Sequence, residues 1–210
     1  MGLLLPGYEP IFERDNRVKE FITEEERRAT VVMTVAKDGT GDTDSIQEAI
    51  DLLDNENGGG TILIKEGLYS EDSLSITNVD LIKFQGVGAA TKIRTGGTTF
   101  MTIPAPTNEN RRIVIFENLK FETNVTSNTF YMTSGSAILM IKNCVVDMVQ
   151  AGTPRKFINV SSCKSVFLDD CYFYDGNEII IDSCDNSVLS NLIIEGGTIE
   201  IGNKNSLRNI

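Results

Sequence analysis

Four stretches of this chain repeat one another: FENLKFE from Phe116, IKNCVVD from Ile141, LDDCYFY from Leu168 and LSNLIIE from Leu189. In each, an apolar or alternating approach reaches Asn or Asp, then Leu or Cys, then another β-prone run. The Asn/Asp positions are Asn118, Asn143, Asp170 and Asn191, with Asn209 as a fifth, at spacings of 25, 27, 21 and 18 residues. A second short strand recurs ahead of them: FMTI at 100, FYM at 130, FINV at 157, IIID at 179 and IEIG at 199. A unit this short cannot bury its apolar face alone. Stacked on copies of itself it can, so a period of this length predicts a solenoid.

The texture selects strands over helices. SVFLDDCYFYD and SVLSNLIIEGG are rich in β-branched and aromatic residues and lack a stripe of period 3.6. Asn or Asp at one place in successive coils suits a corner, since it tolerates left-handed backbone angles and its side chain bonds to nearby backbone. Cys163 and Cys184 lie 21 residues apart at matching places in adjacent coils, and Cys144 and Cys171 each follow a corner residue. No pair has CxxC spacing, and a disulfide framework is a poor fit for a chain this long, so the four are expected to pack in the core.

One amphipathic helix precedes the strands. In SIQEAIDLL, Ile46, Ala49, Ile50 and Leu53 fall on one face. Asp42, Thr43 and Asp44 offer capping oxygens, and Asn57 with Gly58 to Gly60 ends the element. A solenoid's open end exposes unpaired backbone and an apolar cross-section, so a helix over 44–54 is read as its lid. The expected architecture is an all-β, right-handed parallel β-helix of about six coils over 31–210 with this N-terminal capping helix.

Those residues carry a resemblance. TVAKDGTGDTDSIQEAIDLL followed by GGGTILIKEGLYSE resembles the opening of the pectate-lyase-like superfamily of parallel β-helices. VAKDGTGD, IQEAID and IKEGLYSE are similar to pectin methylesterases, and DGTGDTDSIQEAID with GGGT to phage tailspikes. LIKFQGVGAATKI fits the Gly-x-Gly turn and Thr-x-Ile strand common there. The likeness runs from Thr34 to about Ile93. It implies a fold, because the same opening serves enzymes and non-enzymes alike. The esterase-type QDTLY, VDFIFG and LGRPW patterns do not occur, and the Arg nearest a Pro, Arg155 after Pro154, lacks a lyase's RxPxxR setting. No catalytic, cofactor-binding or metal-binding residue is therefore assigned, and no cofactor is expected.

GVGAATK lacks the full phosphate-loop pattern and no helix follows Lys92, so it is read as a coil turn. Asp169, Asp170 and Asp175, with Asp182 and Asp185 one coil on, form the densest acidic group. Stacking could bring Asp169 or Asp170 near Asn191, but the group is read as corners and a solvated face, not as a glycosidase pair or a calcium site. Tyr172, Phe173 and Tyr174 are the best aromatic cluster, and alternation sends at least one of them inward.

Composition excludes more. With 210 residues and 40% hydrophobic content the chain can bury one sizeable core. A net charge of −11 argues against nucleic acid as a partner, and the absence of His rules out imidazole bases and ligands. No apolar run approaches a membrane span, and Leu3 to Leu5, interrupted by Pro6, is too short for an export signal. Residues 1–30 join an apolar stretch, GLLLPGYEPIF, to a charged one in which Val18, Phe21 and Ile22 make a narrow stripe. They are expected to form an arm that reaches a neighbouring subunit or a larger assembly, the alternative being a leader packed against its own β-helix. The chain stops at SLRNI without a visible cap, a further hint of assembly. The favoured expectation is a non-catalytic structural virion protein, such as a capsid decoration, head-fibre or tail component, acting as a homo-oligomer, with a trimer favoured, among other virion proteins. The alternative is a β-helix that binds or cleaves a polysaccharide.

Overall fold

Left-handed corners set the path of the chain. Asn118, Asn143, Asp170 and Asn191 all hold φ between 53° and 56°, so the four repeated positions share one conformation. Each turns the chain from one sheet into the next, and the backbone N–H groups of Asn118, Asn143 and Asp170 donate to a carbonyl one coil on. The computed structural model describes residues 31–208 apart from 57–58, 78, 97–98, 105–111, 124–127, 133–136, 149–154, 161–162, 175–176, 182–183 and 203–205. The arm at 1–30, Pro154, Asp175, Asp182 and Asn209 lie outside these residues.

The strands form three parallel sheets. The first holds eight: Val32–Val35, Gly59–Ile64, Leu81–Gln85, Arg112–Glu117, Ala137–Lys142, Cys163–Asp169, Cys184–Ser190 and Ser206–Arg208. The second holds Gly67–Ser70, Thr91–Thr95, Lys120–Thr123, Val145–Met148, Tyr172–Phe173 and Ile193–Ile194. The third holds Leu74–Ser75, Thr99–Ile103, Asn128–Met132, Arg155–Val160, Asn177–Ile181 and Thr198–Ile201. Sequence order visits first, second and third sheet in turn, giving a parallel β-solenoid. Among the described residues there are six three-strand rungs, hence five steps from first to last. The recurring FMTI-type strands are the third sheet.

Alternation puts every second residue inside. Ile62, Phe84, Phe116, Ile141, Leu168 and Leu189 stack in register along the first sheet, all buried. Phe84 and Phe116 stack face to face with centroids 4.5 Å apart. Phe130 meets Phe121 and Phe157 edge-on at 5.4 and 5.3 Å, and Phe173 continues the series from Phe157 at 5.5 Å. Such pairs add about 0.5–1.5 kcal/mol each to the burial of their area.

The helix spans Ile46–Glu56, two residues later than the sequence suggests. Its cap is Ser45, whose carbonyl accepts from Ala49 N–H at 3.3 Å and whose hydroxyl accepts from Glu48 N–H at 3.5 Å. Asp42, read from sequence as a cap, instead accepts from Thr34 N–H at 2.7 Å. Ile46, Ala49, Ile50 and Leu53 are at most 1% exposed, and the helix packs on the first strands of the solenoid as a lid does.

The cysteines depart from the expectation of packing alone. Cys163 and Cys184 stand opposite each other in register, with Cα atoms 4.8 Å apart, and are joined as a disulfide between the fifth and sixth rungs. Stacking equivalent positions of adjacent rungs puts the sulfurs within bonding reach, a consequence of the repeat that spacing motifs do not register. Cys144 and Cys171 are free and buried, as expected, and each thiol donates to a backbone carbonyl. Burial pushes both thiols up, Cys171 to about 12, so neither ionises near neutrality.

Candidate functional site

The second sheet presents the most varied outer face. Tyr69, Ile93, Phe121, Val146 and Phe173 point inward, each at most 1% exposed, so the residues between them face out. One outward row runs in register Leu68, Lys92, Lys120, Val145, Tyr172, Ile193. The other runs Ser70, Arg94, Glu122, Asp147. Tyr174 and Glu195 extend it, their N–H groups bonding to Val146 and Phe173 carbonyls.

Over the earlier rungs this face is an ion-pair ladder. Glu122 accepts from Arg94 Nη2 at 2.7 Å and Nε at 3.2 Å, with Lys92 and Lys120 at 3.8 and 3.7 Å. Lys120 donates to Asp147 at 2.7 Å. That bond, reinforced by nearby carboxylates, holds the Lys120 ammonium above the ordinary lysine range. Over the later rungs the face turns aromatic. The rings of Tyr172 and Tyr174 lie 4.1 Å apart, inclined by 33°, and Tyr172 donates its hydroxyl proton to Glu195. Holding that proton for Glu195 raises the Tyr172 phenol. Ile193 beside it is 55% exposed.

Phe173 is thus the inward member of the aromatic triplet, and Tyr172 with Tyr174 form the outward pair. Asp169 does reach the following corner, accepting from Ser190 Oγ at 2.6 Å and Asn191 Nδ2 at 3.0 Å. Asp170 is the exposed corner residue itself, and Asp185 pairs with Lys164 at 2.7 Å. Asp169 pairs in register with Ser190, five residues from Asp185 along the neighbouring strand. At the rise of a strand this is about 16 Å, wider than the two carboxyls of a glycosidase stand. The described members of the acidic group therefore belong to separate local structures. GVGAATK is a turn, with Gly88 at φ 91° and the strand Thr91–Thr95 following.

Sequence reasoning did not single out Lys92, Arg94, Lys120, Glu122 or Asp147. The i, i+2 patterns KxR, KxE and VxD are present, but they line up only once rungs of unequal length are registered.

No family model and no curated protein matches the sequence. Among solved structures it is similar to a PL6-family alginate lyase, AlyGC, with a TM-score of 0.58 and 12% identity over 86% of this chain. This chain spans 28% of that lyase's length. A pectin methylesterase from Aspergillus niger is similar at TM-score 0.41 and 12% identity, covering 85% of this chain and 84% of its own. ORF18 of Geobacillus virus E2 is similar at TM-score 0.32 and 14% identity, covering 99% of this chain and 63% of its own. The first likeness establishes the fold, the parallel β-helix that the opening segment led us to expect. No helix among the described residues is long and apolar enough to cross a membrane.

Proposed function

We propose that this chain is a non-catalytic structural β-helix, a decoration, head-fibre or tail component of a virion that works as a homo-oligomer, with a trimer favoured. One observation supports the structural part of this reading. Outer-face charges join one rung to the next: Lys83 to Glu117 at 2.6 Å, Arg94 to Glu122, Lys120 to Asp147, and Lys164 to Asp185. Each pair adds at most about 1 kcal/mol, yet all act along the axis and hold a rod rather than build a reacting centre. The virion part rests on the tailspike-like opening segment.

Light scattering on the full chain, with a polysaccharide-cleavage assay on the same sample, tests the reading. The expected result is one discrete mass at two or more whole multiples of 23.1 kDa, three for the favoured trimer, and no new sugar chain ends. A monomer at every concentration that releases chain ends would overturn it in favour of an enzyme.

A second reading, polysaccharide binding, is favoured by the outward Tyr172–Tyr174 pair next to exposed Ile193. Aromatic faces beside polar groups are the usual furniture of a ligand surface. Here Tyr172→Ala and Tyr174→Ala would each abolish retention in polysaccharide-containing gels while leaving the oligomer's mass unchanged.

A further inference from the structure

The aromatic end of the second sheet's outer face lies between two carboxylates. In one outward row Asp147 stands on the fourth rung, Tyr174 on the fifth and Glu195 on the sixth. Neighbouring rungs are about 4.8 Å apart, so each carboxylate is one strand away from Tyr174. Tyr172, in the other outward row, stacks against Tyr174 with centroids 4.1 Å apart, and the two rings make one ledge. Solvent reaches that ledge. Tyr174 is 37% exposed, and Ile193, next to Tyr172 in register, is 55% exposed. An aromatic and aliphatic surface with a few polar groups at its rim suits a ring that is apolar on its face and hydroxylated at its edge.

The rim decides which ring. An ionised carboxylate only accepts hydrogen bonds. Glu195 takes the Tyr172 hydroxyl on Oε1 and Asp147 takes Lys120 Nζ on Oδ2, so each has a second oxygen to offer a ligand hydroxyl. The described cations of this face stand on the second and third rungs, and each is committed to a carboxylate. Lys92 and Arg94 are held at Glu122, and Lys120 at Asp147. Lys120 is two rungs from Tyr172 in its row, about 10 Å. An anionic sugar on the ledge would therefore set its charge beside Asp147 and Glu195, and like charges placed so close exclude a partner.

We propose that the Tyr172–Tyr174 ledge binds a neutral polysaccharide, one without carboxylate or sulfate groups, whose hydroxyls donate to Asp147 and Glu195, and that these two carboxylates turn acidic polymers away. This rests on the polysaccharide-binding reading and adds the class of sugar to it.

Isothermal titration of the full chain at about 0.15 M salt tests it. Charges more than about 8 Å from the ligand are then largely screened, so the overall −11 does not decide the outcome. The neutral probes are dextran, galactomannan and a mixed-linkage β-glucan, and the acidic ones are polygalacturonate and carboxymethylated galactomannan. We expect at least one neutral probe to bind, both acidic probes to bind at least about tenfold more weakly or not at all, and Tyr174→Ala to lose the binding. Glu195→Gln, at an exposed position, should weaken the neutral probe about threefold. Adding Asp147→Asn should weaken it further and let polygalacturonate bind, since Lys120 then loses its partner. An acidic probe bound by the wild type as tightly as the best neutral one would overturn the sugar class and leave the binding reading standing. Neutral binding that neither charge variant alters would overturn the part given to the carboxylates. Binding of no probe at all would overturn this inference together with the reading beneath it.

Discussion

Among the described residues, Arg112 is one of the largest side chains with no exposure to solvent. Its guanidinium donates to the carbonyls of Val79 at 3.0 Å, Thr77 at 2.6 Å and Pro104 at 3.1 Å, so it supplies donors to two corner segments at once. Arg112→Met keeps the stem and strands those acceptors. We expect a loss of about 3 kcal/mol or more, read as a lower urea midpoint, with Arg112→Lys recovering only part because it lacks the planar fork. At Asn143 the backbone is the issue. With φ at 53°, Asn143→Ala should cost about 1 kcal/mol while Asn143→Gly stays near neutral, a difference that paired denaturation curves resolve. The corner asparagines were legible in the sequence because the rule that selects them acts on one residue. Arg112 was not, because these acceptors lie 8 to 35 positions away.

At the scale of elements, the lid helix begins against a carboxylate from another part of the chain. Glu71 accepts from Ile46 N–H at 3.1 Å. Burial raises its carboxyl above the ordinary glutamate value, outweighing that bond and nearby Lys37. The folded protein therefore binds this proton more tightly than the unfolded chain. Its contribution to stability grows as pH falls from 7 through the raised value, and is lost as pH rises through it. Glu71→Gln keeps an acceptor for Ile46 and removes the buried charge. The variant should exceed the wild type most at pH 7 and lose that advantage as pH falls through the raised value towards the ordinary glutamate value, as a series of urea melts over that range would show. A wild-type advantage at pH 7 would mean that the helix dipole outweighs desolvation. The helix itself was legible from its apolar stripe. Its start was not, because Ser45 and Glu71 decide it, and Glu71 is brought there only by the first coil. The Lys92–Asp147 ladder was hidden for a related reason: the spacing between equivalent positions changes from rung to rung.

For the whole molecule, neighbouring rungs supply nearly all of each other's stability, so the ends are its weak points. The Cys163–Cys184 disulfide lies near one of them and closes a separation of 21 residues. Reduction, or Cys163→Ser with Cys184→Ser, should remove about 3 kcal/mol. Amide exchange should quicken first in the sixth rung and in Ser206–Arg208, with Leu81–Gln85 little changed. Uniform quickening along the chain would show instead that the solenoid opens as one unit. The fold class was legible because solenoid geometry repeats in sequence as it does in space. The alignment of Cys163 with Cys184 was legible in the repeat, but their bond was not, because a chain this long with a large apolar core has no need of a disulfide framework.

The inter-rung backbone hydrogen bonds, the ion pairs and this disulfide all run nearly parallel to the long axis. A tensile force between the two ends therefore meets these contacts in series, and the protein should yield by peeling one rung at a time from the gripped end. A shearing force across a sheet meets them side by side and must break many together. Seen as a mechanical part, the oxidised chain carries a stop: peeling from the C-terminal side would release the last strand and the sixth rung back to Cys184, and then halt because the covalent link passes the force to Cys163 and the chain between the two cannot extend.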